Sequence, residues 1–245
     1  MAQYETIRSV GVNAGVRIDE GLRAHMNKVY GLMSVAMLVT AGVAWAVGTT
    51  DALLAIFIDP MTLRPNIMGW VVMFAPLAMV FAFGALIGRM SAAAAQVFFY
   101  AFAAVMGLSI AWIFSVFSLG SIFQTFLATS AGFAALSLYG YVTKRDLGPL
   151  GAFLMIGLIG LIVASVANIF IGSQGLAFAI PLIGVLIFAG LTAYDTQRIK
   201  NDYIQHAQAM DSEWLGKSAI MGALNLYLDF INLFMFLLQF MGNRE

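Results

Sequence analysis

The sequence predicts an all-α, polytopic membrane protein with seven transmembrane helices. Of its 245 residues, 62% are hydrophobic and only 10% are charged, and the mean hydropathy is +0.92. Soluble domains are about 45–50% apolar and about 25% charged, so this chain cannot cover itself with polar surface. Seven apolar segments are long enough to cross a bilayer, and Lys and Arg gather at alternate ends of these segments.

The seven segments follow one another with short connections. A span needs about 20 mostly apolar residues to cross a hydrocarbon core of roughly 30 Å. The candidate spans cover residues 29–48, 67–88, 95–117, 121–142, 150–171, 176–196 and 218–240. The domain organisation that we predict is a cytoplasmic tail over 1–28, a transmembrane domain over 29–240 and a short C-terminal tail over 241–245.

The distribution of Lys and Arg predicts the orientation, because cytoplasmic loops of membrane proteins are enriched in these residues. With the N-terminus in the cytoplasm, only Arg64 and Arg244 fall outside. The segments on the inside hold the other ten, which are Arg8, Arg17, Arg23, Lys28, Arg89, Lys144, Arg145, Arg198, Lys200 and Lys217. Seven spans then put the C-terminus outside, unless the last segment is re-entrant.

Composition also limits the function. The net charge of zero indicates no nucleic-acid partner, and the absence of cysteine excludes disulfides and thiolate sites. His25 and His206 are isolated and are expected at the surface rather than in a metal site. No phosphate-binding loop or catalytic triad pattern is present. We therefore expect no catalytic residues, no bound cofactor and no enzymatic activity.

A polar stripe runs along the seventh span. Five residues share one helical face at spacings of three, four, three and seven: Gly222, Asn225, Asp229, Asn232 and Gln239. A charged residue facing lipid at mid-depth costs about 2.5–3.5 kcal/mol on insertion scales. The stripe is therefore predicted to face inward, which makes the seventh helix central in the bundle. Asp229 is a functional-site candidate by default, with a role as a neutral packing residue as the alternative.

Asp195 is a second carboxylate, near the cytoplasmic end of the sixth span and one turn before Arg198. Because the sixth and seventh helices are sequential and antiparallel, Asp195 and Asp229 can meet. Their distances from the flanking lysines differ by roughly 10 Å at 1.5 Å per residue. Helix six continuing into water, or a cytoplasmic vestibule, would remove that mismatch. Alternatively, Asp195 is a helix-end residue that pairs with Arg198 or Arg89.

Two carboxylates that share a site cannot both ionise cheaply, so they titrate as a unit. Such a pair is able to share a proton, to bind a cation in its place, or to activate water for peptide cleavage. Ca²⁺ prefers six to eight oxygen ligands, and here Asp195, Asp229, Asn225 and Asn232 supply few. That donor set favours weak, transient binding along a conducting pathway. The protease alternative resembles presenilin-type enzymes, but the Gly-x-Gly-Asp motif is missing, since Leu226–Leu228 precede Asp229.

Four stretches of the chain resemble the Bax inhibitor-1 family of membrane proteins. They read NKVYGLMSVAMLVTAGVAW in the first span, YGYVTKRDLGPLG after the fourth, FAGLTAYDTQRIK in the sixth and ALNLYLDFINLF in the seventh. The resemblance extends over nearly the whole chain beyond residue 25, and it is that of a bacterial member.

The resemblance implies six helices around a central seventh and a pH-sensitive calcium leak through a di-aspartyl sensor. The sensor aspartates match Asp195 and Asp229, and Arg89 is the candidate for an arginine that latches one of them. The partners implied are the bilayer of a bacterial inner membrane, Ca²⁺ as the transported ion, and another integral membrane protein such as a membrane protease. A scaffold that only regulates that protein is the main alternative function.

Overall fold

The computed structural model describes residues 2–59, 61–62, 64–207, 209 and 211–243, with side chains from residue 19 onward. The described residues form nine helices and no strand. The helices are α1 (Ala2–Gly48), α2 (Asp51–Leu54), α3 (Ile67–Leu86), α4 (Ala92–Ile110), α5 (Ile113–Val116), α6 (Leu119–Val142), α7 (Gly148–Ile171), α8 (Gln174–His206) and α9 (Ser212–Met241).

Seven of these elements are long and apolar enough to span a membrane, which confirms the predicted fold class. The third span consists of α4 and the single turn α5. α9 runs for 30 residues without interruption, which is long enough for a full span. The orientation of the bundle in the membrane stays a prediction. We call the end that holds the α8–α9 connection the cytoplasmic end on the strength of the Lys and Arg count.

Polar residues set where most of the spans begin. A side-chain oxygen accepts a hydrogen bond from the backbone N–H three residues later, which satisfies a donor that the helix itself cannot. The residues that cap helices in this way are Asn66, Ser91, Ser118, Ser173 and Asp211. Short polar breaks in an apolar sequence therefore carry most of the information about helix boundaries.

α9 is the central helix, as the polar stripe predicted. It packs against α1, α4, α6 and α8, and it is the most buried of the seven spans. α3 packs on α4 and α7 packs on α8, so these two helices lie farther from the centre. Tyr227 of α9 is fully buried, and its hydroxyl lies 2.6 Å from that of Thr40 on α1.

The start of the bundle differs from the sequence prediction. α1 continues back through the segment that we assigned to a tail, and Leu22 and Met26 belong to the hydrophobic core. The expectation that His25 lies at the surface is wrong. Its side chain is 6% exposed, and its ring lies against Tyr203 of α8 with 4.8 Å between centroids. The membrane boundary of the tail over 1–28 stays a prediction.

Helices α6 and α8 approach so closely that a side chain is excluded between them. A Cβ atom on Gly140 would lie 2.1 Å from the carbonyl oxygen of Ala193. Gly132, two turns earlier on α6, faces open space, with no atom within 4 Å of an added Cβ. Small residues of this kind allow membrane helices to pack backbone against backbone.

We expect Gly140→Ala to lower the thermal stability of the purified protein, because α6 must move away from α8. Overpacking of this kind costs about 1–3 kcal/mol. Gly132→Ala is the matched control and should be neutral or slightly stabilising, since alanine favours helix more than glycine does. Thermal unfolding in detergent measures both changes, and equal midpoints for the two variants would contradict the close packing.

Candidate functional site

The register of α8 against α9 fixes which of their residues meet. The hydroxyl of Ser218 donates to the Asp202 carboxylate at 3.1 Å, Gly222 faces Ile199, and Gly184 faces the ring of Phe236. The two residue numbers in each pair add up to 420 or 421. By the same register, Asp195 is opposite Asn225, and Asp229 lies about one helical turn deeper.

The one-turn offset does not keep the two carboxylates apart. Cα–Cβ bonds tilt toward the N-terminus of a helix, and α8 and α9 are antiparallel, so the side chains of Asp195 and Asp229 lean toward each other. The two carboxyl groups are near enough to interact with each other. Asp229 is buried, at 4% exposure, whereas Asp195 is half-buried. Oδ2 of Asp229 has no hydrogen-bond partner among the described residues.

A cavity lies on the cytoplasmic side of this pair, and neither Asp195 nor Asp229 is among its lining residues. Its volume is about 430 Å³, room for several water molecules. Its lining contains both polar and apolar groups, and we call it the vestibule; the residues that define it are Ile87, Gly88, Arg198, Ile199, Asp202, Trp214, Lys217, Ser218, Met221, Gly222 and Asn225. Asn225 forms part of the lining at the level of Asp195. Of the two solutions to the depth mismatch, α8 does extend eleven residues past Asp195, and the vestibule reaches the level of Asp195 at Asn225 without being lined by either carboxylate.

The packing on the opposite side of the pair is apolar. Phe188 and Leu191 of α8 and Leu233 of α9 are buried in one cluster, which we call the apolar layer. Farther along, Phe236 is stacked on Phe188 with 5.8 Å between ring centroids and fills the space beside Gly184. The vestibule thus lies on one side of the pair, and hydrocarbon side chains pack on the other.

The remaining predicted site residues divide into two groups. Arg198 is exposed, lines the vestibule, and acts electrostatically on Asp195 from one turn away. Asn225 also lines the vestibule. Asn232 is turned to its own helix, where its amide nitrogen donates to the carbonyl of Leu228 at 2.8 Å. Gln239, at the end of the stripe, is exposed.

Arg89 lies in the turn after α3 and is exposed. It forms no ion pair with any residue whose side chain the structure describes. Its neighbours Ile87 and Gly88 line the vestibule, so Arg89 lies near the entrance rather than in contact with the carboxylates. Its role as a latch stays a prediction.

A chain of hydroxyl groups beside the pair was missed by the sequence reasoning. Tyr30 of α1 and Ser137 of α6 hydrogen-bond at 2.5 Å, and Ser137 hydrogen-bonds to Thr196 of α8 at 2.9 Å. Thr196 in turn donates to the carbonyl of Thr192. The chain crosses three helices, so no spacing within one helix reveals it. The sequence signal that could have indicated the chain is the presence of hydroxyl residues on the helix faces that pack inward.

Gln197 of α8 lies next to the chain of hydroxyl groups and holds the loop that connects α6 and α7. Its side-chain amide donates to the carbonyl of Arg145 at 2.7 Å and accepts from the backbone N–H of Leu147 at 2.8 Å. The segment from Thr192 to Gln197 is therefore held on several sides, and Asp195 lies within a rigid part of α8.

These features define a class of protein: a membrane protein with seven spans and a carboxylate pair where its central helix meets α8, with a vestibule on one side of the pair and an apolar layer on the other. Comparison with known proteins names the family. Residues 22–245 match the family model described as inhibitor of apoptosis-promoting Bax1. The chain belongs to the Bax inhibitor-1 family, which confirms the resemblance that the four motifs indicated.

The relatives that match the chain include several bacterial proteins. The inner membrane protein YbhL of Escherichia coli K12 is 43% identical over 225 residues, covering 92% of this chain and 94% of YbhL. RP147 of Rickettsia prowazekii is 44% identical over 229 residues, covering 93% and 92%. YrjE of Lactococcus lactis is 37% identical over 227 residues, covering 91% and 92%. The chain thus matches these relatives over nearly their whole length.

The absence of cysteine makes the vestibule testable with single introduced thiols. We expect Asn225→Cys to react with a water-soluble, membrane-impermeant thiol reagent added to the cytoplasmic face of inside-out vesicles. Leu233→Cys, two turns deeper on the same helix and 3% exposed, should not react. Labelling of both thiols after denaturation is the control. Equal rates in the folded protein, or reaction of Asn225→Cys only from the outer face, would contradict the vestibule and its orientation.

Proposed function

We propose that this protein mediates a pH-sensitive leak of Ca²⁺ across the inner membrane of a bacterium, with Asp195 and Asp229 as the gate. The proximity of these two carboxylates to each other, with the vestibule on their cytoplasmic side, is the observation that supports it. A buried carboxylate in a membrane span is costly to place, and such groups mark ion and proton pathways. The family assignment, and the description of the relative YbhL as an inner membrane protein, support a location in the bacterial inner membrane.

Competition between a proton and a cation is the physical basis of the gate. Two carboxylates in contact repel when both are ionised, so they favour either a shared proton or a bound cation between them. When the proton is shared, the pair carries one negative charge instead of two and attracts Ca²⁺ less. The rate of leak therefore follows pH through the occupancy of one site.

The donor set suits passage of the ion rather than storage. Ca²⁺ prefers six to eight oxygen ligands, and the pair with Asn225 supplies only part of that number. Water from the vestibule completes the shell. In addition, the described side chains contain no cluster of three or more carboxylate and imidazole groups that would hold a metal tightly. Weak coordination is what a conducting site requires, because the ion must also leave.

The arginines near the pair give the site a third competitor. Arg198 already acts on Asp195, and the exposed side chain of Arg89 lies near the vestibule entrance. An arginine that approaches the ionised pair neutralises it and excludes the cation. Protonation of the pair weakens that ion pair and releases the arginine.

In the predicted orientation, the apolar layer closes the pair off from the outside. Phe188, Leu191 and Leu233 fill the space beyond the carboxylates and offer no polar group to an ion. Conduction thus requires α8 and α9 to move apart at the apolar layer. Repulsion between the two ionised carboxylates at the same seam acts in that direction.

Ca²⁺ flux into liposomes that contain the purified protein tests the proposal. We expect wild-type flux to depend on pH, and we expect Asp195→Asn and Asp229→Asn each to abolish that dependence, because neither variant retains the pair. Asp51→Asn removes an exposed carboxylate on α2 and is the matched control. Its flux should follow that of the wild type.

Absence of flux above empty liposomes at every pH would contradict the channel and favour a scaffold that regulates another membrane protein. Flux with the same pH dependence in the wild type and both Asn variants would place the ion pathway elsewhere. Correct folding of each variant is checked by its thermal unfolding midpoint before reconstitution.

A further inference from the structure

A second cavity lies in the wall of the bundle, apart from the carboxylate pair. It is a groove of about 820 Å³ between α1 and α6, with Phe230 of α9 at its floor. Its walls are mainly apolar, and the residues that bear most on its shape are Met33, Met37, Ala41, Phe126, Phe133 and Ala134. The helices that form the walls pack against α8 and α9 behind them, and the Tyr30–Ser137 hydrogen bond joins them across the groove.

The groove has the length and the opening that a lipid tail requires. It runs along α1 from Arg23 to Ala41, which is about 27 Å at 1.5 Å per residue. One leaflet of the hydrocarbon core is about 15 Å thick, half of the roughly 30 Å total. Leu38 and Leu138 on its two rims are 73% and 62% exposed, so the groove faces the hydrocarbon of the bilayer.

The cytoplasmic end of the groove carries positive charge. Arg23 lines it, is exposed, and forms no ion pair with any side chain the structure describes, although Asp19 and Glu20 lie on the preceding turn. Asn27 follows Arg23 by one turn and also lines the groove. The ammonium group of Lys200 lies 5.7 Å from the ring centroid of Tyr141, another lining residue.

From this arrangement we infer that the groove between α1 and α6 is a binding site for an anionic phospholipid of the cytoplasmic leaflet. One acyl chain lies along the apolar walls, and the phosphate is bound by the guanidinium of Arg23, with Asn27 as a second donor. Arginine presents several N–H donors to phosphate oxygens, which makes it suited to this contact. Basic groups on the cytoplasmic side of membrane helices bind anionic head groups in this way.

Native mass spectrometry of the detergent-purified protein, titrated with phosphatidylglycerol or with phosphatidylcholine, tests the head-group contact. We expect retention of phosphatidylglycerol over phosphatidylcholine in the wild type. Arg23→Gln should weaken retention of phosphatidylglycerol about tenfold, the size of one charge-assisted hydrogen bond. It should weaken that of phosphatidylcholine less, because the choline cation of that lipid already competes with Arg23 for the phosphate. Arg64→Gln, which removes an exposed arginine from the predicted outer side, is the matched control and should behave as the wild type.

Filling the groove tests the acyl-chain contact separately. Ala134→Phe places a large ring in the middle of the groove, and Ala41→Phe places one at its far end. Both alanines are exposed, so the fold should tolerate the two substitutions. Each should reduce retention of both lipids. Unchanged retention in the two groove-filling variants would overturn the site. An effect of Arg23→Gln no larger than that of Arg64→Gln, or equal loss of both lipids in Arg23→Gln, would overturn the anionic assignment.

Discussion

A carboxylate inside a lipid-embedded bundle must have a polar partner, and the architecture of this protein follows from that constraint on Asp229. Exposure of a charge to hydrocarbon at mid-depth costs about 2.5–3.5 kcal/mol, so α9 takes the central position and Asp229 faces protein. Asp195 on α8 is that partner. Because α8 and α9 are consecutive in the chain and pack antiparallel, their short connection is enough to bring the two carboxylates together. The close approach at Gly140 and the hold of Gln197 on the α6–α7 connection keep α8 in the register that the pair needs.

The environment of the pair is asymmetric, and the asymmetry is what makes a gate physically reasonable. The vestibule, with Arg198 and Asn225 in its lining, lies toward one end of the bundle from the carboxylates. The apolar layer packs on the other side. Under the proposed function, a change in the charge of the pair acts at the boundary between these two regions, where a small separation of α8 from α9 would open a path for an ion.

Much of this was predictable from the sequence, because lipid imposes strong constraints on composition and on buried charge. Apolar length determined the seven spans, and the cost of burying Asp229 predicted both the central helix and the pairing with Asp195. Contacts that join distant helices were not predictable. His25 lies in a polar stretch of sequence, but the ring of Tyr203 buries it, and the hydroxyl chain from Tyr30 to Thr196 depends on the packing of three helices. The position of Arg89 outside the pair likewise depends on a turn geometry that carries no sequence motif.

The central claim is that Asp195 and Asp229 act as one unit, and a double-mutant cycle tests it most directly. Thermal stability would be measured for the wild type, Asp195→Asn, Asp229→Asn and the double variant at about pH 5 and about pH 8. We predict non-additive effects, with a coupling free energy of about 0.5–3 kcal/mol at the higher pH. Either substitution alone relieves the repulsion, so the second adds little. The coupling should shrink at the lower pH, where a proton bridges the pair. Additive effects at both pH values would show that the two carboxylates act independently, and would contradict this account.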